Sequence, residues 1–440
     1  MKNKNIIMIG AGITGLVSAY ELLKQGHKVV IIEKEADVGG LARSFKYDNM
    51  TFDIGPHRFF SDKETINTYI KNTLNNDFFN IARLSAVFFE GKYYKWPLNF
   101  LSIFKMSFKN IISIIFDLLF LKIKHTDNYQ DYVENKYGKT LYKIFFKGYT
   151  EKFFNIDAKK IHAMWAQESI NRVLIVKKTN NILGLLKYFL KSNFIREKKF
   201  IYPKTGGIEI FSQNLKDKIV ALGGTFELNS DIQEIKTEKN SIFAVKTKKT
   251  VYESDIVVWT APLTTLCKIL NIHTELTYRN LIVLNYVIKK TDNKYAINNY
   301  QWCYFGDKNI TLNRTSKPVL FSKNNVNSDY DSICVEISCS SEDSFWNNND
   351  DLKNKITSEL VKLNIISSAG DVVKIYREKI ENVYPVYTLE FDRDLNKVKN
   401  TLSHIDNLYL AGRSGLFWYN NMDDSIENGL NISKKINETE

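Results

Sequence analysis

The chain has 440 residues, of which 44% are apolar and 25% charged, and a net charge of +12. That balance excludes a disordered chain and gives length enough for two or three domains with a large core. Basic residues are scattered, with short clusters such as Lys198-Lys199 only, so the charge argues for anionic small ligands and against nucleic acid as a partner.

Ile6 to Ile9 predicts a short buried strand. Gly10-Ala11-Gly12-Ile13-Thr14-Gly15 follows at once, and a helical pattern runs from Leu16 to Lys24. A second apolar run, Lys28 to Ile32, ends on Glu33. Strand, glycine turn, helix, strand and acid in this order are what a dinucleotide site needs; the alternative reading is an ordinary strand-to-helix turn. Gly10 serves the tight turn, Gly12 the approach of a pyrophosphate, and Gly15 the close packing of helix on strand. The helix N-terminus offers N–H groups to the phosphates. Glu33 stands where a carboxylate accepts from a ribose diol, and an acid there argues against a 2′-phosphate. The N-terminus enters the first strand directly, which leaves no room for a signal peptide.

From about 61 to 197 the sequence reads as helical and aromatic, with few strand signals. The apolar stretch Leu98 to Ile123 holds Lys105, Lys109 and Asp117, and its uninterrupted runs fall short of the about 20 residues that span a bilayer. It predicts one or two amphipathic helices, chiefly packing on a core, with a peripheral membrane contact as the secondary reading. Tyr202-Pro203-Lys204-Thr205-Gly206-Gly207 is a turn, followed by a helix from Ile208 to Leu222. Phe226–Leu228, Ile232–Lys236, Ile242–Thr247 and Thr250–Tyr252 predict a small meander, and Asp255–Thr260 a buried strand. Leu281–Ile288, Gln301–Phe305, Val319–Ser322 and Ile333–Cys339 predict a second sheet. Leu408–Arg413 is a last buried strand, before a helix from near Asp424 to Lys435. Cys267, Cys303, Cys334 and Cys339 form no C-x-x-C pair and have no histidine at metal spacing, so no metal is expected and the thiols read as reduced, in a cytoplasmic protein.

Gly39-Gly40-Leu41-Ala42-Arg43-Ser44 resembles the FAD-binding flavoproteins that include amine oxidases, protoporphyrinogen oxidase, phytoene desaturases and UDP-galactopyranose mutase. The resemblance implies that the glycine pair passes close to FAD with Arg43 beside it. The fold class expected is α/β: a Rossmann-like FAD-binding domain with a helical insertion and a second, mixed β-sheet substrate domain. The FAD-binding domain would be discontinuous, at 1–60, 198–270 and 366–440, with a helical cap at 61–197 and the substrate sheet at 271–365.

Four further stretches resemble the UDP-galactopyranose mutases in particular. Gly55-Pro56-His57 is similar to a segment whose histidine lies by the flavin ring. Gly148-Tyr149-Thr150-Glu151-Lys152 is similar to a motif lining the sugar-nucleotide pocket, with Phe154 where the mutases usually carry tryptophan. Tyr384-Pro385-Val386-Tyr387 matches a segment near the substrate. Gly412-Arg413-Ser414-Gly415 with Tyr419, Asn420, Met422 and Asp423 matches the C-terminal motif. By resemblance Arg413 approaches the flavin, Tyr419 faces the substrate phosphates, and Met422 and Asp423 open a helix aimed at the pyrimidine end. Arg314 would grip the diphosphate, a task that suits a guanidinium. Standing alone, His57 and these tyrosines would read as core residues.

The chain also departs from that pattern. An Arg-x-Pro-x-Arg-like stretch is reduced to Ser169-Ile170-Asn171-Arg172-Val173, leaving Arg172 alone. Tyr202–Gly207 looks more like the Pro-x-x-Gly-Gly turn of the oxidases and desaturases. The resemblance therefore implies a relative acting on another sugar nucleotide or glycosyl carrier. The activity implied is pyranose–furanose isomerisation through an adduct of the sugar on N5 of reduced flavin, in cell-surface glycan synthesis. The alternative is an FAD-dependent oxidase or desaturase, whose flavin takes a hydride from a C–N or C–C bond.

Overall fold

Short runs of isoleucine and valine build the centre of the molecule. The computed structural model describes residues 3–98, 102, 105–121, 126–169, 199–290, 296–325, 329–348 and 350–438. A five-stranded sheet runs in the order Leu408–Leu410, Ile256–Trp259, Asn5–Ile9, Lys28–Ile32, Thr225–Glu227, with every pair parallel. Its middle strands are near-continuously apolar because both faces are covered. Ile6 and Met8 point to one side, where the helices Ile13–Lys24, Ile210–Ala221 and Met422–Glu438 pack through Leu16, Phe211 and Ile426. Ile7, Ile9 and Trp259 point to the other, toward Ile242 and Val245 of the antiparallel meander Ile232–Glu238, Ser241–Thr247, Val251–Glu253. The strands end together at Gly10, Glu33, Thr260 and Gly412, the edge of a parallel sheet where ligands bind.

A second sheet of seven strands stands beside it, ordered Val372–Pro385, Tyr278–Lys289, Tyr330–Cys339, Arg314–Ser316, Trp302–Phe305, Ser85–Phe89, Lys92–Trp96. The α/β class and the paired sheets agree with expectation, and several strands do not. The hairpin Ser85–Phe89/Lys92–Trp96 lies inside the stretch expected to be helical, and Phe78–Ala82 pairs with Lys199–Pro203. Val372–Pro385 falls in the stretch expected to return to the flavin domain, yet it forms the edge of the second sheet. Its Lys374, Arg377, Lys379 and Glu381 are what an edge strand carries, and they hide the alternation of a half-buried strand. Thr225–Glu227 joins the parallel sheet rather than the meander. Val319–Ser322 is no strand: Pro318–Leu320 makes a 3-10 turn, since Pro318 has no N–H for a ladder.

Within the expected amphipathic stretch, the helix Phe108–Leu119 starts on Ser107, whose Oγ accepts the Asn110 N–H. Of its side chains only Ile114 and Leu118 are buried. Phe108, Ile112, Ile115, Phe116 and Leu119 lie open together with Phe120, and Phe108 is 77% exposed. Core packing thus accounts for one face only. Among the described residues no helix is long and apolar enough to cross a membrane.

Candidate active site

A cavity of about 1500 Å³ runs from the glycine turn to the second sheet. That exceeds the roughly 300–1,000 Å³ of an ordinary small-molecule pocket, leaving room for a dinucleotide and a second ligand. At one end Gly10 takes φ +100°, a value that glycine adopts without strain, and Gly12 caps the Ile13–Lys24 helix without a side-chain hydrogen bond. A Cβ on Gly12 would meet nothing within 4 Å, so the backbone there faces open cavity. The first-turn N–H groups, beside Ile13 and Thr14, point into it as an anion site. Glu33 is buried; its Oε2 accepts the Ala11 N–H at 2.7 Å and its Oε1 the Glu35 N–H at 3.0 Å. Gly39 donates its N–H to Ala11 O at 2.8 Å, which draws the Gly39-Gly40 pair against the turn. Arg43 lines the cavity and pairs with Glu35 at 3.0 Å.

At the other side of the parallel sheet, Arg413 is held, among the described residues, by carbonyls: Nη2 to Val383 O at 3.0 Å and Nη1 to Asn420 O at 2.8 Å. Its guanidinium lies 4.3 Å from the Tyr419 ring and 5.2 Å from that of Tyr384. Gly412, Asn420, Met422 and Asp423 line the same stretch, at the start of the Met422–Glu438 helix.

Strand register sets the third element. Tyr304 pairs with Arg314, and Arg314 with Glu336, so the three form one row across adjacent strands. Arg314 donates Nε to Glu336 Oε1 at 2.6 Å and Nη2 to Oε2 at 2.5 Å. Burial alone would lower its pKa, but Glu336 raises it well above the usual arginine value. Among the described residues Nη1 has no hydrogen-bond partner. Tyr149 stands over the row, its ring 5.6 Å from that of Tyr304.

His57 lines the cavity among these cations. Burial first, then Arg314, Arg413 and Arg58, push its pKa down to about 3, so the ring is neutral, and its Nδ1 has no partner. Burial pushes the hydroxyls of Tyr149 and Tyr384 above the usual tyrosine range, so both remain donors. Beneath the glycine pair, the Asp53 carboxylate accepts from Ser44 Oγ at 2.5 Å, Tyr202 Oη at 2.8 Å and the Ile208 N–H at 3.0 Å. Burial, against those three donors, raises it to about 7.

Gly10, Gly12, Glu33, Gly39, Gly40, Arg43, His57, Tyr149, Thr150, Arg314, Tyr384, Gly412, Arg413, Tyr419, Asn420, Met422 and Asp423 therefore meet at one cavity. Four expected site residues stand behind it. Gly15 packs under Gly10, and Gly55 against the Glu336 carboxylate. Tyr387 is buried, with its hydroxyl accepting the Tyr419 N–H at 2.7 Å, so it positions that tyrosine rather than touching a ligand. Phe154 is 1% exposed and lies behind Trp165, the two rings 4.8 Å apart. Trp165 lines the cavity and stacks edge-on to Tyr419, so the indole missing at position 154 is supplied from another helix. Arg172 lies outside the described residues. Trp165, Tyr304, Arg58 and Glu336 escaped the sequence reading; only Arg58, next to His57, carried a local signal.

The cradle fits a flavin dinucleotide: an uncapped helix end, an open Gly12, and the buried, unpartnered Arg43 Nε and Asn420 Nδ2 at its two ends. Comparison with known proteins agrees. Over 171 residues the chain is 30% identical to the protein named "Probable UDP-galactopyranose mutase" from Klebsiella pneumoniae, a match covering 37% of this chain and 44% of that one. Over 51 residues it is 51% identical to a 4,4'-diapophytoene desaturase (4,4'-diaponeurosporene-forming) of Staphylococcus aureus (strain bovine RF122 / ET3-1), covering 12% of this chain and 10% of the desaturase. The chain thus matches less than half the length of these curated relatives. The crystal structure of reduced UDP-galactopyranose mutase superimposes with a TM-score of 0.83 at 21% identity, over 100% of this chain and 97% of that one, and shares its fold. The sequence pattern of the flavin-containing amine oxidoreductases matches residues 13–437, and this chain belongs to that family, whose cofactor is a flavin of the FAD type.

Proposed function

We propose that the protein is an FAD-dependent, mutase-like enzyme that interconverts the ring forms of a sugar nucleotide, with its flavin reduced. The observation that carries this reading is the meeting of Arg314, Arg413, Tyr149, Tyr384 and Tyr419 on one cavity with the dinucleotide cradle. Two guanidiniums and protonated tyrosine hydroxyls suit a diphosphate that must be held while its bond to the sugar breaks and re-forms. Among the described residues Arg413 has carbonyl partners and no carboxylate, so its charge is available to that anion. Arg314 offers Nη1 from a geometry fixed by Glu336. Neutral His57 adds no charge beside the flavin ring, and Trp165 with Phe153 walls out water. The flavin, when bound and reduced, supplies the nucleophile that isomerisation without net oxidation needs.

The likeness to the mutase of Klebsiella pneumoniae supports a nucleotide-sugar substrate and a place in cell-surface glycan synthesis. The likeness to the desaturase spans only 51 residues and bears on the cofactor. Four free, buried cysteines go with a reducing compartment, the cytoplasm. The open apolar face of Phe108–Leu119, with exposed Lys105 and Lys109 at one end, suits peripheral contact with an anionic membrane.

The test incubates the flavin-bound protein with a panel of sugar nucleotides, with and without dithionite. Product formed only after reduction is the expected result. Oxygen consumption with an amine or polyene, and no sugar turnover, overturns the reading in favour of an oxidase or desaturase.

A further inference from the structure

Phe417 holds φ +53°, a left-handed setting that a bulky side chain rarely takes. It stands where the helical turn that begins at Gly412 ends. The Phe417 N–H bonds to Ser414 O at 3.4 Å and the Trp418 N–H to Arg413 O at 2.9 Å. That is the pattern of a Schellman turn, whose left-handed position is usually glycine. A helix continued from Arg413 would carry Tyr419 roughly 9 Å further along its axis. The turn instead brings the Tyr419 ring back to 4.3 Å from the Arg413 guanidinium.

Phe417 is buried, its ring 4.9 Å from that of Tyr278 and 6.0 Å from that of Tyr387. Packing thus holds a backbone that glycine would adopt without cost. Both tyrosines also clasp the turn through their hydroxyls. Tyr278 Oη donates to Ser414 O at 2.7 Å. Tyr387 Oη donates to Phe417 O at 3.3 Å and accepts the Tyr419 N–H at 2.7 Å, and a phenylalanine could do neither. Burial pushes the Tyr387 pKa above the usual tyrosine range, so the donated proton stays in place. Tyr387 is anchored in turn, its carbonyl accepting the His162 N–H at 2.7 Å. Earlier in the same segment, Val383 O accepts Nε and Nη2 of Arg413. One short stretch of chain therefore holds both Arg413 and Tyr419.

We infer that Phe417 and Tyr387 are positioning residues, which fix Tyr419 against Arg413 in the arrangement that receives the diphosphate of the substrate. This rests on the sugar-nucleotide reading and adds to it two residues that do not line the cavity. A glycine at position 417 would let the turn sample other conformations, and ordering them would be charged to binding. A phenylalanine locked into its pocket sets the turn before a ligand arrives. The competing account is that both rings serve only to join the flavin domain to the second sheet.

The flavin-bound full chain is titrated with UDP and with UDP-galactose, following the visible absorbance of the flavin. Tyr387→Phe should keep its flavin and bind both about tenfold more weakly, the worth of a buried hydrogen bond. Added to Tyr419→Ala, the same substitution should cost less than about twofold, because it acts through Tyr419. Phe417→Gly suits the backbone but empties the pocket, and should also lose about tenfold. Unchanged affinity in Tyr387→Phe, or an equal loss in both backgrounds, overturns the inference, the second by showing a general loosening. So does a Phe417→Gly protein that binds as tightly as the wild type. If the wild-type protein binds neither UDP nor UDP-galactose, the sugar-nucleotide reading falls, and amide hydrogen exchange over residues 412–421 decides the clasp. Exchange there should quicken about tenfold in Tyr387→Phe while the rest of the chain keeps its rates. Exchange that is unchanged, or faster everywhere, refutes the positioning role.

Discussion

Glu336 fastens Arg314 side-on across neighbouring strands, with two parallel hydrogen bonds of 2.6 and 2.5 Å. Glu336 is buried and Arg314 is 19% exposed, so removing Arg314 strands the carboxylate and should cost a sizeable part of the ~3–5 kcal/mol of a fully buried pair. Arg314→Ala is therefore expected to lower stability as well as sugar-nucleotide affinity. The double variant Arg314→Ala/Glu336→Ala should recover most of the stability and none of the affinity. Urea melts and binding titrations on the four proteins check this; recovered affinity in the double variant would refute a ligand role for Arg314.

Gly12→Val separates cofactor from fold. Nothing lies within 4 Å of a Cβ built there, so the valine fits without a clash and projects into the space a pyrophosphate would take. The variant should fold with a near-normal melting curve and purify colourless. A fully yellow preparation would contradict the cradle.

Opposite pH effects follow from His57 and Asp53. The His57 pKa is depressed from 6.5 to about 3, so its contribution to stability is complete above pH 6.5 and is lost as pH falls toward about 3. The Asp53 pKa is raised from 3.8 to about 7, so its contribution is complete below pH 3.8 and is lost as pH rises through about 7. His57→Gln should flatten the acid limb of the stability profile, and Asp53→Asn the limb between 3.8 and 7. Denaturant midpoints measured across pH decide both; unchanged limbs would show that neither group titrates as stated.

The apolar face of Phe108–Leu119 predicts co-sedimentation with vesicles rich in anionic lipid. Ile112→Glu/Phe116→Glu should weaken it about tenfold or more, since two buried apolar side chains are worth ~1.5–3 kcal/mol each. The variant should keep its melting temperature, because both positions are exposed. Dimerisation of the wild-type chain without vesicle binding would assign that face to a second copy instead.

The cradle was legible because its parts are neighbours in sequence: Gly10 to Gly15, Glu33 and Gly39 to Arg43 lie within one strand–helix–strand unit. The seven-stranded sheet was only half legible. Tyr278–Lys289 and Tyr330–Cys339 are buried over most of their length and carry apolar runs such as Leu281–Leu284, whereas Val372–Pro385 is an edge strand studded with charge. Motif resemblance reached Arg314 and Tyr419 and passed over the residues that hold them. Glu336 is 22 positions from Arg314, and only the register of two strands makes them partners. Trp165 belongs to a short helix that no motif marks, and its value is plain only beside the buried Phe154.

The central strand Asn5–Ile9 is synthesised well before its partner Ile256–Trp259, and Leu408–Leu410 adds to that partner later still. The groove bordered by Gly10 and Gly412 therefore cannot close until Leu408–Leu410 and Gly412 have been made. Pairings so distant along the chain make assembly slow. Coenzyme capture waits on that late pairing, and a product cut short of Leu408–Leu410 would lack one wall of the place that lodges it.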